Sequence, residues 1–162
     1  TPKLIPGSNP KELTRLGNTI HSLNNTRLKT ILLRCLHGDV YSRERMLNFG
    51  MVDDNLCVRC NEVESTSHLL YECTYVKQLW LEVSKLTGIY PTSISKILGI
   101  DPTHDKVTLT IHAETIRRLL SIERPIIDQK KLLKSIISNL YILERGITKY
   151  QINKYLETIK LT

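Results

Sequence analysis

Three cysteines and a histidine fall within the stretch "CVRCNEVESTSHLLYEC": Cys57, Cys60, His68 and Cys73, spaced C-x2-C-x7-H-x4-C. Thiolates and an imidazole are the donors that Zn2+ takes in a tetrahedral shell, with no ligand-field preference to satisfy. C-x2-C is the spacing at which a tight turn aims two sulfurs at one point. His68 and Cys73 are harder to bring together. At about 100° per residue, positions five apart on an ideal helix point about 140° apart. The helix carrying His68 must therefore tighten, bend or end before Cys73. Four protein donors complete the shell, whereas a catalytic zinc keeps one position open for water. The pattern predicts structural Zn2+ as the cofactor, and a centre whose three thiolates leave it negatively charged and a poor clamp for phosphate.

The elements that must position these ligands read as helices. "TPKLIPGSNP" is rich in turn residues, and residues 1–20 read as a linker from whatever precedes them; beginning on Thr1, the chain reads as an excerpt of something longer. From about His21 the pattern turns helical. Leu28, Ile31, Leu32, Cys35 and Leu36 form an apolar stripe stopped by Gly38. On that stripe Cys35 reads as a core thiol, its lesser reading being a substitute ligand. Ser42 is placed to cap a short helix, and beyond Cys73 the residues Val76, Leu79, Trp80 and Val83 share a face closed by Gly88. Residues 21–88 thus form a helical zinc-binding domain, with the zinc site at 57–73.

Residues 89–107 read as a joint. Residues 108–162 follow as a bundle of about three helices: Thr108–Ile122, Asp128–Arg145 with Leu133, Ile136, Ile137 and Leu140 inward, and a last helix opened by a Thr148/Gln151 capping box. Nothing alternates like a strand. The expected fold is all-α, a helical domain with an embedded CCHC zinc knuckle and a C-terminal bundle.

Charge is unevenly distributed. Residues 1–45 hold 8 basic and 3 acidic side chains, residues 46–76 hold one against five, and residues 77–162 hold 14 against 8. An acidic ligand segment therefore sits between basic flanks, which points to an anionic partner such as a phosphate backbone. Two clusters are candidates for nucleic-acid contact: Arg27, Lys29 and Arg34 with Arg43 and Arg45, and Arg117, Arg118, Lys130, Lys131 and Lys134. Aromatic residues for base stacking are sparse, with Tyr71, Tyr75 and Tyr141 available and Phe49 and Trp80 reading as core. Backbone and shape reading of duplex or structured RNA fits this composition better than base reading.

The run "LLRCLHGDVYSRERMLNFGMVDDNLCVRCNEVESTSHLLYECTYVKQLW" resembles the zinc-binding segment near the C-terminus of non-LTR (LINE-type) retrotransposon reverse transcriptases. It shares, in order, a leucine-rich helix ending in "LHGD", the "SRERML" helix, C-x2-C, "ES-x-x-HLL-x-EC" and a tryptophan beyond. The likeness covers about residues 31–80. It implies the tail of a polyprotein whose upstream parts hold the polymerase and, often, an endonuclease, with a role in gripping template RNA or target DNA during target-primed reverse transcription. It also implies an intracellular ribonucleoprotein, nuclear and cytoplasmic.

No paired-aspartate polymerase motif and no nuclease carboxylate cluster occurs, so this segment reads as non-enzymatic. "HAE" at His112–Glu114 mimics a deaminase motif but lacks the downstream C-x-x-C; His112 falls among Leu109, Ala113 and Ile116 and reads as packed. No run of eighteen apolar residues and no small-molecule site is legible, leaving no membrane and no small-molecule substrate among the expected partners. The competing expectation is a protein-docking module for the upstream polymerase or a host factor.

Overall fold

The computed structural model describes residues 10–98, 106–121, 124, 126, 128–144, 150, 153 and 157. These form eight α-helices and one π turn: α1 (Pro10–His21), α2 (Thr26–Leu36), α3 (Arg43–Asn48), the π turn (His68–Glu72), α4 (Thr74–Thr87), α5 (Ile94–Ile97), α6 (Lys106–Leu119), α7 (Gln129–Ser138) and α8 (Leu140–Leu143). Among the described residues there is no strand, only an isolated antiparallel bridge between Leu56 and Val63. The expected all-α class holds.

The stretch expected as a linker is helical from Pro10. Proline fits a first helical turn, where its missing N–H is not needed, and Leu16 and Ile20, four apart, are both fully buried. Local caps follow the sequence. Asn25 Oδ1 accepts from Leu28 N at 3.0 Å, and Ser42 Oγ accepts from Arg45 N at 3.2 Å. Gly88 closes α4 in the left-handed region at φ 74°, where a Cβ would be strained.

Helix α6 is the axis of the fold. It packs against α2, α4, α7, α8 and the π turn, and every residue from Val107 to Ile116 is buried. Two of its polar residues are accommodated within the helix, the Thr110 and Thr115 hydroxyls donating to the carbonyls of Lys106 and Ile111. Trp80 of α4 is fully buried, donating Nε1–H to Leu70 O at 2.8 Å and meeting the His112 ring edge-on at 5.1 Å. His112 is therefore a packed core residue, and its Nδ1 lies 3.0 Å from Ile97 O.

The helix expected to run from Asp128 to Arg145 is two. Asp128, expected as the start of this helix, caps α7 by accepting from Lys131 N at 3.1 Å. The chain then turns at Asn139, whose backbone N–H and Nδ2 both donate to Ser135 O, at 3.2 and 2.8 Å. The break aims Glu144 back at the start of α2. Its carboxylate accepts from Asn24 N and Asn25 N at 2.7 and 3.0 Å and pairs with Lys106 Nζ at 3.3 Å. The expected helix opened by Thr148 and Gln151 lies outside the described residues.

One apolar cluster runs from Leu16 and Leu32 through Val76 and Trp80 to Ile116, Ile137 and Leu140. The helices on either side of the expected joint therefore share a core. At about 1.5–3 kcal/mol per buried large aliphatic side chain, this shared surface binds the C-terminal helices to the ligand-bearing half.

Candidate metal centre

The first two ligands sit on a closed loop. The Leu56–Val63 bridge forms its base, Cys57 N donates to Glu62 O at 2.6 Å, and Asn61 N donates to Cys57 O at 2.8 Å. Asn61 takes φ 66°, a left-handed conformation that asparagine tolerates better than most residues. Arg59 N points at Cys57 Sγ from 3.4 Å, setting an amide against a sulfur that carries thiolate charge when it binds metal.

The second pair comes together by a different device from the three expected. From His68 to Glu72 the backbone widens into a π turn, and Cys73 N donates to His68 O at 3.1 Å, an i to i+5 bond. In such a turn residues five apart are stacked one turn above each other, so His68 and Cys73 face the same side. Ser65 Oγ accepts from His68 N at 3.1 Å and steadies the entry.

The donor atoms of Cys57, Cys60, His68 and Cys73 all lie within 4.8 Å of one another, with Cys60 Sγ 3.1 Å from His68 Nε2. A zinc shell with bonds of about 2.3 Å to sulfur has donor–donor edges of about 3.8 Å. The four side chains thus need shifts of only about an ångström to close on Zn2+, and three sulfurs with one ring nitrogen are the donors that ion favours. Cys35 is no substitute ligand: it is buried in the core, and desolvation, partly opposed by the Arg34 charge, pushes its thiol up to about 12. The open side of the centre is lined by Cys60 and His68 with Glu62 and Glu72, carboxylates that repel an approaching phosphate.

Two buried residues that the sequence reading passed over tie this loop to the rest. Glu64, between Cys60 and His68, accepts from Arg43 N at 2.9 Å and from Arg124 Nη2 at 2.9 Å. Arg124 also donates to Ser121 O at 2.7 Å and Tyr41 O at 2.6 Å. Glu64 was visible only as one of a run of acids and as the glutamate of "ES-x-x-H"; nothing local distinguished Arg124. On the other side of the loop the Arg59 guanidinium lies over the Tyr75 ring at 5.5 Å, and burial, then the Arg124 charge, hold it below its usual value.

The ten basic candidates are regrouped by the fold. Arg27 and Arg34 line one cleft together with Arg117, and Arg117 and Arg118 line a second with Lys131. The two sequence clusters therefore meet at the last turn of α6. Lys29 is half-buried outside both clefts, and Lys130 and Lys134 are exposed on α7 without lining either. Arg43 and Arg45 stand apart, pairing with Asp54 at 3.2 Å and Asp39 at 2.8 Å. Phe49, expected in the core, is 63% exposed, and Arg45 lies over both its ring and that of Tyr41. Tyr71 stands near Lys77, whose ammonium is 5.6 Å from the ring centroid. The Tyr141 side chain lies outside what the structure describes.

Residues 9–80 match the family described as zinc-binding in reverse transcriptase. The match takes in the residues of α1 as well as the ligands. No curated protein and no solved structure matches the chain. Family and donor set agree on zinc.

Proposed function

We propose that this chain is a non-catalytic, zinc-stapled part of a LINE-type reverse transcriptase polyprotein, and that it grips template RNA or target DNA during target-primed reverse transcription. The observation that carries this reading is a division of labour. The metal centre is closed and edged by Glu62 and Glu72, while basic side chains are displayed on α2, α6 and α7, helices that pack into the same core. Zinc then holds the scaffold and the helices meet the anion. A working place in a nuclear and cytoplasmic ribonucleoprotein follows from the same reading. Among the described residues no helix is long and apolar enough to cross a membrane.

The test is a salt titration of the zinc-loaded protein against structured RNA, duplex DNA and single strands. Binding that persists at about 150 mM salt and weakens log-linearly with salt supports the gripping role. Absence of binding there overturns it.

A second reading has its own observation. Phe49 and Met51 are 63% and 54% exposed beside Tyr41, with Arg45 against the aromatic rings. Aromatic, methionine and arginine side chains are enriched at protein interfaces, so this edge supports docking to the upstream polymerase or a host factor. Co-purification with an upstream fragment at high salt, lost in Phe49→Ser, checks it.

A further inference from the structure

The two basic clefts are neighbours on one surface. Arg117 belongs to both: one side faces Arg27 and Arg34 of α2, the other faces Lys131 of α7. Glu114 holds this ridge in place. Both its oxygens accept from Arg117, at 2.8 and 2.6 Å, and Arg118 Nε reaches it at 3.3 Å. One nearly buried carboxylate thus orients two guanidiniums and leaves the ridge net positive. Hydrogen bonding to Glu114 raises the Arg117 pKa above its usual value.

We infer that this divided trough is a phosphate-backbone site for duplex nucleic acid, with Arg27 and Arg34 on one bank, Lys131 on the other and Arg117 and Arg118 between them. The inference deepens the proposed gripping function and rests on it. Three observations choose the ligand class. The banks carry hydroxyl donors, Thr26 and Thr30 on one and Ser121 and Ser135 on the other, side chains that commonly bond phosphate oxygens. No aromatic side chain lines either cleft among the described residues, so the stacking platform that single strands use is missing. The exposed aromatics Tyr41 and Phe49 instead lie against Arg45, and none of the three lines either cleft. Recognition here is therefore of backbone charge and is indifferent to sequence.

The test uses the zinc-loaded full chain and short DNA duplexes of unrelated sequence, with matched single strands. Each lost phosphate contact removes about 0.9 from the log–log salt slope on duplex DNA. Arg27→Ala with Arg34→Ala should therefore flatten the slope by about 1.8, and Lys131→Ala alone by about 0.9. Lys77→Ala with Lys85→Ala, two exposed lysines of α4, should leave it unchanged. All these side chains except part of Arg34 project from the surface, and unchanged emission from the single tryptophan certifies the fold. An unaltered slope in the trough variants, an equal loss in the α4 control, or a preference for single strands overturns the trough while the gripping role stands. A wild-type protein that binds none of the nucleic acids overturns both.

Discussion

Glu64 and Arg124, sixty positions apart, meet in a buried ion pair at 2.9 Å, with their side chains 0% and 1% exposed. Arg124 adopts φ 48°, an unusual conformation for a non-glycine residue, with its guanidinium directed at Glu64, Ser121 O and Tyr41 O. The segment between the second and third metal ligands is thereby pinned to the chain just beyond α6. Desolvating two charges is costly, and the hydrogen bonds around both offset that cost. Removing one partner leaves the other charged and buried. Arg124→Met should destabilise the zinc-loaded protein by about 3–5 kcal/mol, read by denaturant unfolding, and Glu64→Leu in the same chain should recover part of that loss. Strictly additive single and double variants would show that the pair is not coupled.

Metal removal should reach well beyond the loop. Because α4 runs directly on from Cys73 and shares its core with α2 and α6, losing the ligands frees the packing of Trp80 as well. Structural zinc is worth on the order of 10–16 kcal/mol in small finger peptides. Chelation, or Cys57→Ser, should therefore red-shift Trp80 emission and lower helical circular dichroism by more than one short loop can account for. A chelated protein with native tryptophan emission would confine the metal's influence to residues 57–73.

The thiols should divide three to one. Cys57, Cys60 and Cys73 are protected by metal, whereas Cys35 is protected by burial, which pushes its thiol up to about 12. At pH 8 a thiol reagent should leave the zinc-loaded protein unmodified, and Cys35→Ala should still bind one zinc per chain. Rapid labelling of Cys35, or loss of zinc in that variant, would place it in the metal shell after all.

The ligand set was legible because spacing and residue type are local properties. The stripe of α2, the cap at Ser42 and the stop at Gly88 were legible for the same reason: each is decided within a few residues. What escaped depended on partners far along the chain. Glu144 looks like any helix-end acid until the break at Asn139 turns it onto Asn24 and Asn25. Phe49 was assigned to the core on hydrophobicity, yet it lies at the C-cap of a short helix, 63% exposed, with Arg45 over its ring. The π turn escaped because the hydrophobic pattern around Leu69 and Leu70 suits α and π backbones alike. Only the demand that His68 and Cys73 face one ion showed that a regular helix would fail. The basic clusters were each visible, but their meeting at Arg117 is a product of α6 packing between α2 and α7.

Glu144 itself supports a test. Its carboxylate satisfies two amides at the entry to α2, where the helix dipole favours negative charge, and it also meets Lys106. Glu144→Ala removes a charged acceptor from two part-buried amides that water can then reach, at about 1–3 kcal/mol in all. Amide hydrogen exchange at Asn24 and Asn25 should accelerate in that variant more than exchange within α4. Uniform acceleration across both would mean that Glu144 acts on global stability alone.

Asp39 links the two arginine groups that the fold otherwise separates, since Arg45 bonds one of its oxygens at 2.8 Å and Arg34 approaches the other at 3.4 Å. The Arg45 hydrogen bond, with the Arg34 and Arg45 charges behind it, holds the Asp39 carboxyl below its ordinary value. A carboxyl with a lowered folded pKa contributes stability that is complete above its unfolded value of about 3.9 and disappears as pH falls through the lowered one. In Arg45→Ala the Asp39 titration followed by NMR should move upward, and by more than in Arg34→Ala. Arg34 lines the trough while paired with Asp39, so the Asp39 charge competes there with a phosphate. Asp39→Asn should then release that guanidinium and strengthen duplex binding several-fold at low salt, with the gain fading as salt screens it. Weaker or unchanged binding in Asp39→Asn would mean that Asp39 is needed to orient Arg34 rather than competing for it.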